Sequence, residues 1–135
     1  MEEINLRDYQ RKKGKYILPR SVYHQALWKI RDYYRLKEDL DNISYVQPIV
    51  ISDMPRTQTN KKSESMESIA FKRKSITDEI EMIERALEVV PKEYRKGVWE
   101  NIQKNQAYPI YASRSTYGLY KSKYIYTVAR RMKLL

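Results

Sequence analysis

Apolar residues recur at helical steps in several stretches of the chain, and those steps define its expected elements. From Pro19 onward, Val22, Ala26, Ile30, Tyr33 and Leu40 share one face, widened by Tyr23, Leu27 and Tyr34. Pro19 suits a helix start, Ser21 can cap it, and Trp28 is expected as a packing anchor. The pattern ends near Asp41–Asn42. Residues 44–65, SYVQPIVISDMPRTQTNKKSES, break helical periodicity with Pro48, Pro55 and many Ser, Thr and Asn. They read as an exposed linker, in which VQPIVI can form a short extended segment.

A second long helix is expected from about Ser65. Ile69, Ile76, Ile83 and Val90 repeat every seven residues, Ile80 and Leu87 fill the alternate seam positions, and Arg73 interrupts one of them. Packing against the first helix and pairing with a second copy through Ile69, Ile76, Ile80, Ile83 and Leu87 fit this stripe equally. A third helix opens at Pro91 over PKEYRKGVWENIQKN, with Tyr94, Val98, Trp99 and Ile102 on its apolar face. AYPIYASR, residues 107–114, is a turn or loop around Pro109. A fourth helix begins at Ser113 or Ser115, either of which can cap it, and runs nearly to Leu135.

These elements predict an all-α protein: N-terminal helix, linker, long heptad-like helix and C-terminal helix-turn-helix. Its divisions are a flexible basic arm over 1–18 (RKKGK at 11–15), a helix and linker over 19–65, and a helical DNA-binding region over 66–135. The arm reads as a frayed terminus in preference to a DNA contact.

Charge changes the picture at the C-terminal end. The 135 residues carry a net charge of +10. Residues 91–135 hold ten Lys or Arg against two Glu, and from Ser113 to Leu135 there is no acid. Charge this localised points to a polyanionic partner, double-stranded DNA above an anionic membrane surface. At 100° per residue, Tyr117, Tyr120, Tyr124, Val128 and Met132 gather on one side of the last helix, with Ile125 at its edge. Gly118, Ser122, Lys123, Tyr126, Arg130 and Lys133 gather on the other. Lys121 and Arg131 flank the apolar stripe, where long stems reach outward. The first turns of a recognition helix meet base edges, which nominates Arg114, Ser115, Thr116, Lys121 and Ser122. Arg130, Arg131 and Lys133 are better placed for phosphates.

Other chemistry is sparse. There is no Cys and one His, His24, so a structural zinc site, a disulfide and a thiol nucleophile have no residues to build them. No enzyme and no cofactor are expected, since no acid, base, nucleophile and metal converge in the pattern. Glu79, Glu81 and Glu84 read as a solvated face. The polar start MEEINLRDYQRKK has no apolar signal region, and no apolar run approaches a membrane span. The expected location is the cytoplasm.

The run VPKEYRKGVWENI, then YP, then TYGLYKSKYIYTVARRMKL, resembles the RinA/ArpU-like regulators of late phage transcription, small proteins of phages and related mobile elements of Gram-positive bacteria. SDMPRTQTNKKSESMESIA before it is similar to members of the same group. The likeness covers roughly residues 45–135. It implies a C-terminal half like the helix-turn-helix of sigma factor region four, in the cytoplasm of a bacterial host. It also implies sequence-specific binding of double-stranded DNA. The matching positions on the last helix are Thr116, Tyr117, Lys121, Lys123 and Arg130. A connection from about Asn105 to Ala112 exceeds the turn of a compact helix-turn-helix, so the motif expected is an elongated one. A regulator could engage RNA polymerase, and an accessory factor of recombination or packaging could engage a recombinase. A helical interaction protein with a basic tail is the third reading. A homodimer or higher homo-oligomer is compatible with all three.

Overall fold

The structure is a computed structural model that describes residues 10–12, 14–45, 66–109 and 113–135. The linker expected over 44–65 therefore lies outside the described residues from 46 onward, and so do residues 110–112 of the AYPIYASR connection. Every regular element among the described residues is helical: α1 Arg20–Arg31, α2 Tyr33–Tyr45, α3 Met66–Ala86, α4 Lys92–Lys104 and α5 Arg114–Arg131, with a 3-10 turn over Leu87–Val89. The all-α class expected from the periodicity is the class found.

Several boundaries follow from local chemistry. Pro19 and Pro91 precede α1 and α4 with extended backbone, and the carbonyl of each accepts the first hydrogen bond of its helix, from the N–H of Tyr23 and of Tyr94. Their fixed φ suits that position and their missing N–H costs nothing there. Pro19 therefore takes the capping position expected of Ser21, and no side chain caps α1. Ser113, not Ser115, caps α5, its Oγ accepting from the Thr116 N–H at 3.2 Å.

The chain falls into two compact units. One comprises the residues up to Tyr33 together with Met82–Leu135; the other spans Tyr34–Glu81. The first unit is built around α5, which packs against α1, α4 and the 3-10 turn, while α1 also packs on α4. Its core holds Leu27, Ile30, Ile83, Val90, Val98, Ile102, Tyr124, Ile125 and Val128, all inaccessible to solvent. Sequence periodicity reports each helix face but not its partner, so the joining of α1 to the far end of the chain was not readable from it.

The first helix is interrupted where one unbroken helix was expected. Asp32 forms a turn between α1 and α2. At that point the Ile30 carbonyl accepts from Gln103 Nε2 (2.6 Å), and Arg31 Nε donates to the Ile102 carbonyl (2.7 Å). The C-terminal ends of α1 and α4 thus cap one another, supplying donors to carbonyls that a helix end leaves without partners. Trp28, expected as an anchor, is 60 % exposed and meets only the half-buried His24 ring among its described ring contacts.

Among the described residues of the second unit Leu36 and Ile80 are the buried apolar side chains, and Arg35–Asp39 and Lys74–Asp78 are exposed i,i+4 pairs on α2 and α3. The seven-residue stripe of α3 does not stay available as a seam. Ile80 is 6 % exposed and Ile83 is fully buried within the chain. Leu87 lies in the 3-10 turn, whose tighter winding ends the heptad register. Val90 lies beyond the helix altogether and is buried. Ile69 and Ile76 are half-buried. The oligomer seam expected over all five residues is corrected accordingly, because its C-terminal half is occupied by the chain's own core.

Candidate nucleic-acid interface

The last helix is enclosed on more than one side. Tyr117, Lys121, Tyr124, Ile125, Val128 and Ala129 are buried, and Ser122 is 8 % exposed. Phasing against a single partner placed Ser122 on the free side and Ile125 at an edge. Packing against α1 and the 3-10 turn as well as α4 widens the buried arc past both. What remains open is a stripe of Ser115, Thr116, Leu119, Lys123, Tyr126, Thr127 and Arg130, which spans about a third of the circumference at 100° per residue.

Three proposed contact residues are thereby corrected. Tyr117 is 4 % exposed. Its ring stacks on Tyr108 (centroids 4.7 Å) and meets Tyr94 edge-on (5.0 Å). A Cβ at Gly97 would lie 2.5 Å from Tyr117 Cε1, so α4 and α5 approach this closely because residue 97 has no side chain. Lys121 is 7 % exposed and its Nζ donates to Asn101 Oδ1 at 2.7 Å. Asn101 in turn donates through Nδ2 to the Gln106 carbonyl at 2.9 Å. This chain of bonds fixes the residues after α4, where Asn105 takes a left-handed conformation (φ 55°) and Gln106 N–H returns to the Glu100 carbonyl. The cation of Lys121 is spent on holding the interhelical connection. Ser122 is the third residue the packing removes from contact with a ligand.

The other predicted residues stand at the surface. Arg114, Ser115, Arg130, Arg131 and Lys133 are exposed, and Thr116, Lys123 and Tyr126 are half-buried. Arg130, Arg131 and Lys133 cluster at the C-terminal end of α5, while Arg114 and Ser115 mark its first turn. Nine residues, 105–113, separate α4 from α5. The expected helix–connection–helix order is present, with α5 packed on α1, α4 and the 3-10 turn and open along one stripe.

One part of the surface was missed. Residues 10–18, expected as a frayed arm, are fastened on the first unit as far as they are described. Gln10 Nε2 donates to the Leu18 carbonyl (2.9 Å) and the Leu18 N–H donates to Gln10 Oε1 (2.7 Å). Leu18 is 4 % exposed. The Tyr16 ring meets the Tyr126 ring edge-on at 5.5 Å. Arg11 Nη1 lies 3.9 Å from where a Cβ of Gly118 would stand. The loop therefore touches the row Gly118–Ser122–Tyr126 at both ends. Arg11, Lys12 and Lys15 are exposed on it. No local signal marks a Gln side chain as the partner of a backbone eight residues away, so the basic run read as free chain.

Among the described residues, no group of three or more His, Asp or Glu is placed to hold a metal, and no helix is long and apolar enough to cross a membrane. No family model, curated protein or solved structure matches this chain.

Proposed function

We propose that the protein binds double-stranded DNA through the open stripe of α5 and the cations at its ends, and that it regulates transcription in a phage or mobile element. The observation that carries the DNA reading is the face itself. Lys123, Arg130 and Arg131 lie on or beside the open stripe of a helix with no acid, Lys133 follows just past its end, and the rest of that helix is anchored in the core. A phosphate backbone favours such a surface, since one carboxylate there would repel it. Arg114, Ser115 and Thr116 at the first turn are the residues in position to meet base edges, and Arg130, Arg131 and Lys133 supply phosphate contacts. The regulatory role and the phage origin rest on the resemblance of residues 45–135 to the RinA/ArpU-like group.

The test is an anisotropy titration of duplex DNA over a range of salt. Wild-type affinity is expected to fall steeply with salt, and Arg130→Gln with Lys133→Gln to make the log–log slope shallower by about 2. Absence of salt-dependent duplex binding would sink the DNA reading. Sequencing of genome fragments captured by the protein separates the roles. One discrete site at a promoter supports regulation, whereas a site at a recombination or packaging locus makes the protein an accessory factor.

A further inference from the structure

We infer that the loop Gln10–Leu18 is a preformed second contact element for the phosphate backbone of the same duplex, with Lys12 and Lys15 as its phosphate ligands and the Gln10 side chain as the clasp that presents them. The inference rests on the duplex-binding reading above and adds a site, a ligand group and a positioning residue to it.

The loop is built rather than trailing. The Gln10 amide satisfies both backbone groups of Leu18, as a neighbouring strand would, and closes the nine-residue segment at its base. The Tyr16–Tyr126 ring contact and Arg11 at Gly118 hold the segment against α5, and Leu18 at its base is buried. Gly14 has φ +131°, a conformation that side chains rarely adopt, so the bend that leads into Lys15 depends on glycine there. All three cations are exposed; Arg11 lies over α5 at Gly118, and Lys12 and Lys15 have no such contact to the helix described. Lysine is a compact point charge suited to phosphate oxygen and poorly suited to bidentate base reading. The loop meets the row Gly118–Ser122–Tyr126, which borders the open stripe carrying Lys123 and Arg130. Cations from two distant parts of the sequence thus flank one surface. A loop already closed before binding forgoes much of the ordering cost that a free basic tail incurs on contact.

The experiment measures duplex affinity against salt for four proteins: wild type, Lys12→Gln with Lys15→Gln, Gln10→Ala, and Arg130→Gln with Lys133→Gln. Helical circular dichroism and thermal midpoint are recorded for each. The Lys12/Lys15 variant is expected to lose about 2 from the slope, which is about thirtyfold in affinity near 0.15 M salt, equally on unrelated duplex sequences. Gln10→Ala is expected to lose about five- to tenfold at an unchanged slope, because the charges remain but are no longer held in place. A Lys12/Lys15 variant that keeps the wild-type slope overturns the loop contact, while a reduced slope in the Arg130/Lys133 variant still upholds the duplex reading. Equal affinity of Gln10→Ala and wild type overturns the clasp. Wild type that binds no duplex overturns both the loop and the reading beneath it.

Discussion

Lys121 is 7 % exposed, and its Nζ donates to the amide oxygen of Asn101. A hydrogen bond to a buried charged group contributes more than a neutral one, and its loss leaves Asn101 without a donor. Lys121→Met keeps the volume and removes the bond. Urea unfolding is expected to show a loss of about 1–3 kcal/mol, whereas the same change at exposed Arg130 leaves the midpoint in place. Equal midpoints for the two variants would contradict the structural role. Tyr124 is the second residue whose environment sets a measurable property. Its hydroxyl donates to the Ile83 carbonyl at 3.0 Å, and burial, with Tyr33 and Glu84 nearby, pushes its pKa well above the ordinary 10.0. Below that ordinary value the group is protonated both folded and unfolded. Above it the unfolded chain releases a proton that the native chain retains, so stability falls as pH rises from about 10. Alkaline unfolding of Tyr124→Phe is expected to follow a shallower pH dependence. Neither residue's role was legible in sequence. Lys121 sits in a basic run, and only the Asn101 side chain, twenty positions away, marks it as structural.

At the scale of elements, the sequence carried the helix starts at Pro19, Pro91 and Ser113, because each depends on one residue's own geometry or hydrogen bonding. It also carried the apolar faces of α4 and the first turns of α5. It did not carry the break at Asp32, where the reciprocal caps from Arg31 and Gln103 come from two helices about seventy positions apart. Nor did it carry the end of the heptad register, since the α3 helix gives way to the 3-10 turn where Tyr124 takes the Ile83 carbonyl. Gly97 shows how an element contact can hinge on one missing atom group. Gly97→Ala is expected to lower stability by about 1–3 kcal/mol through overpacking against Tyr117, despite the better helix propensity of alanine. A thermal midpoint raised or unchanged would mean that the Tyr117 ring yields freely.

For the whole molecule, charge is what the sequence resolves best. Its excess lies after residue 91, and packing then divides those cations into two kinds. Lys121 and Arg95 hold backbone and connection, Arg95 through the Val90 carbonyl at 2.6 Å. Arg114, Arg130, Arg131 and Lys133 stay at the surface. On the proposal that the protein binds duplex DNA, the salt slope of that binding sums the surface set, and the Arg130/Lys133 pair is expected to account for about 2 of it. A slope unaffected by that pair would move the contact surface off the end of α5. The fastening of the loop 10–18 beside the same helix makes the basic surface a joint product of the two ends of the chain.

By itself the sequence determined the all-α class, the sites of helix initiation at prolines and serine, and the uneven charge, because these depend on residue type and short-range spacing. Tertiary structure decided which cations stay at the surface, that α5 is enclosed by three neighbours, that the C-terminal half of the α3 stripe serves the core, and that Gln10 clasps Leu18 beside α5. Each of those depends on contacts between residues far apart in the chain, and a one-dimensional pattern gives a helix a face without saying how many partners will cover it.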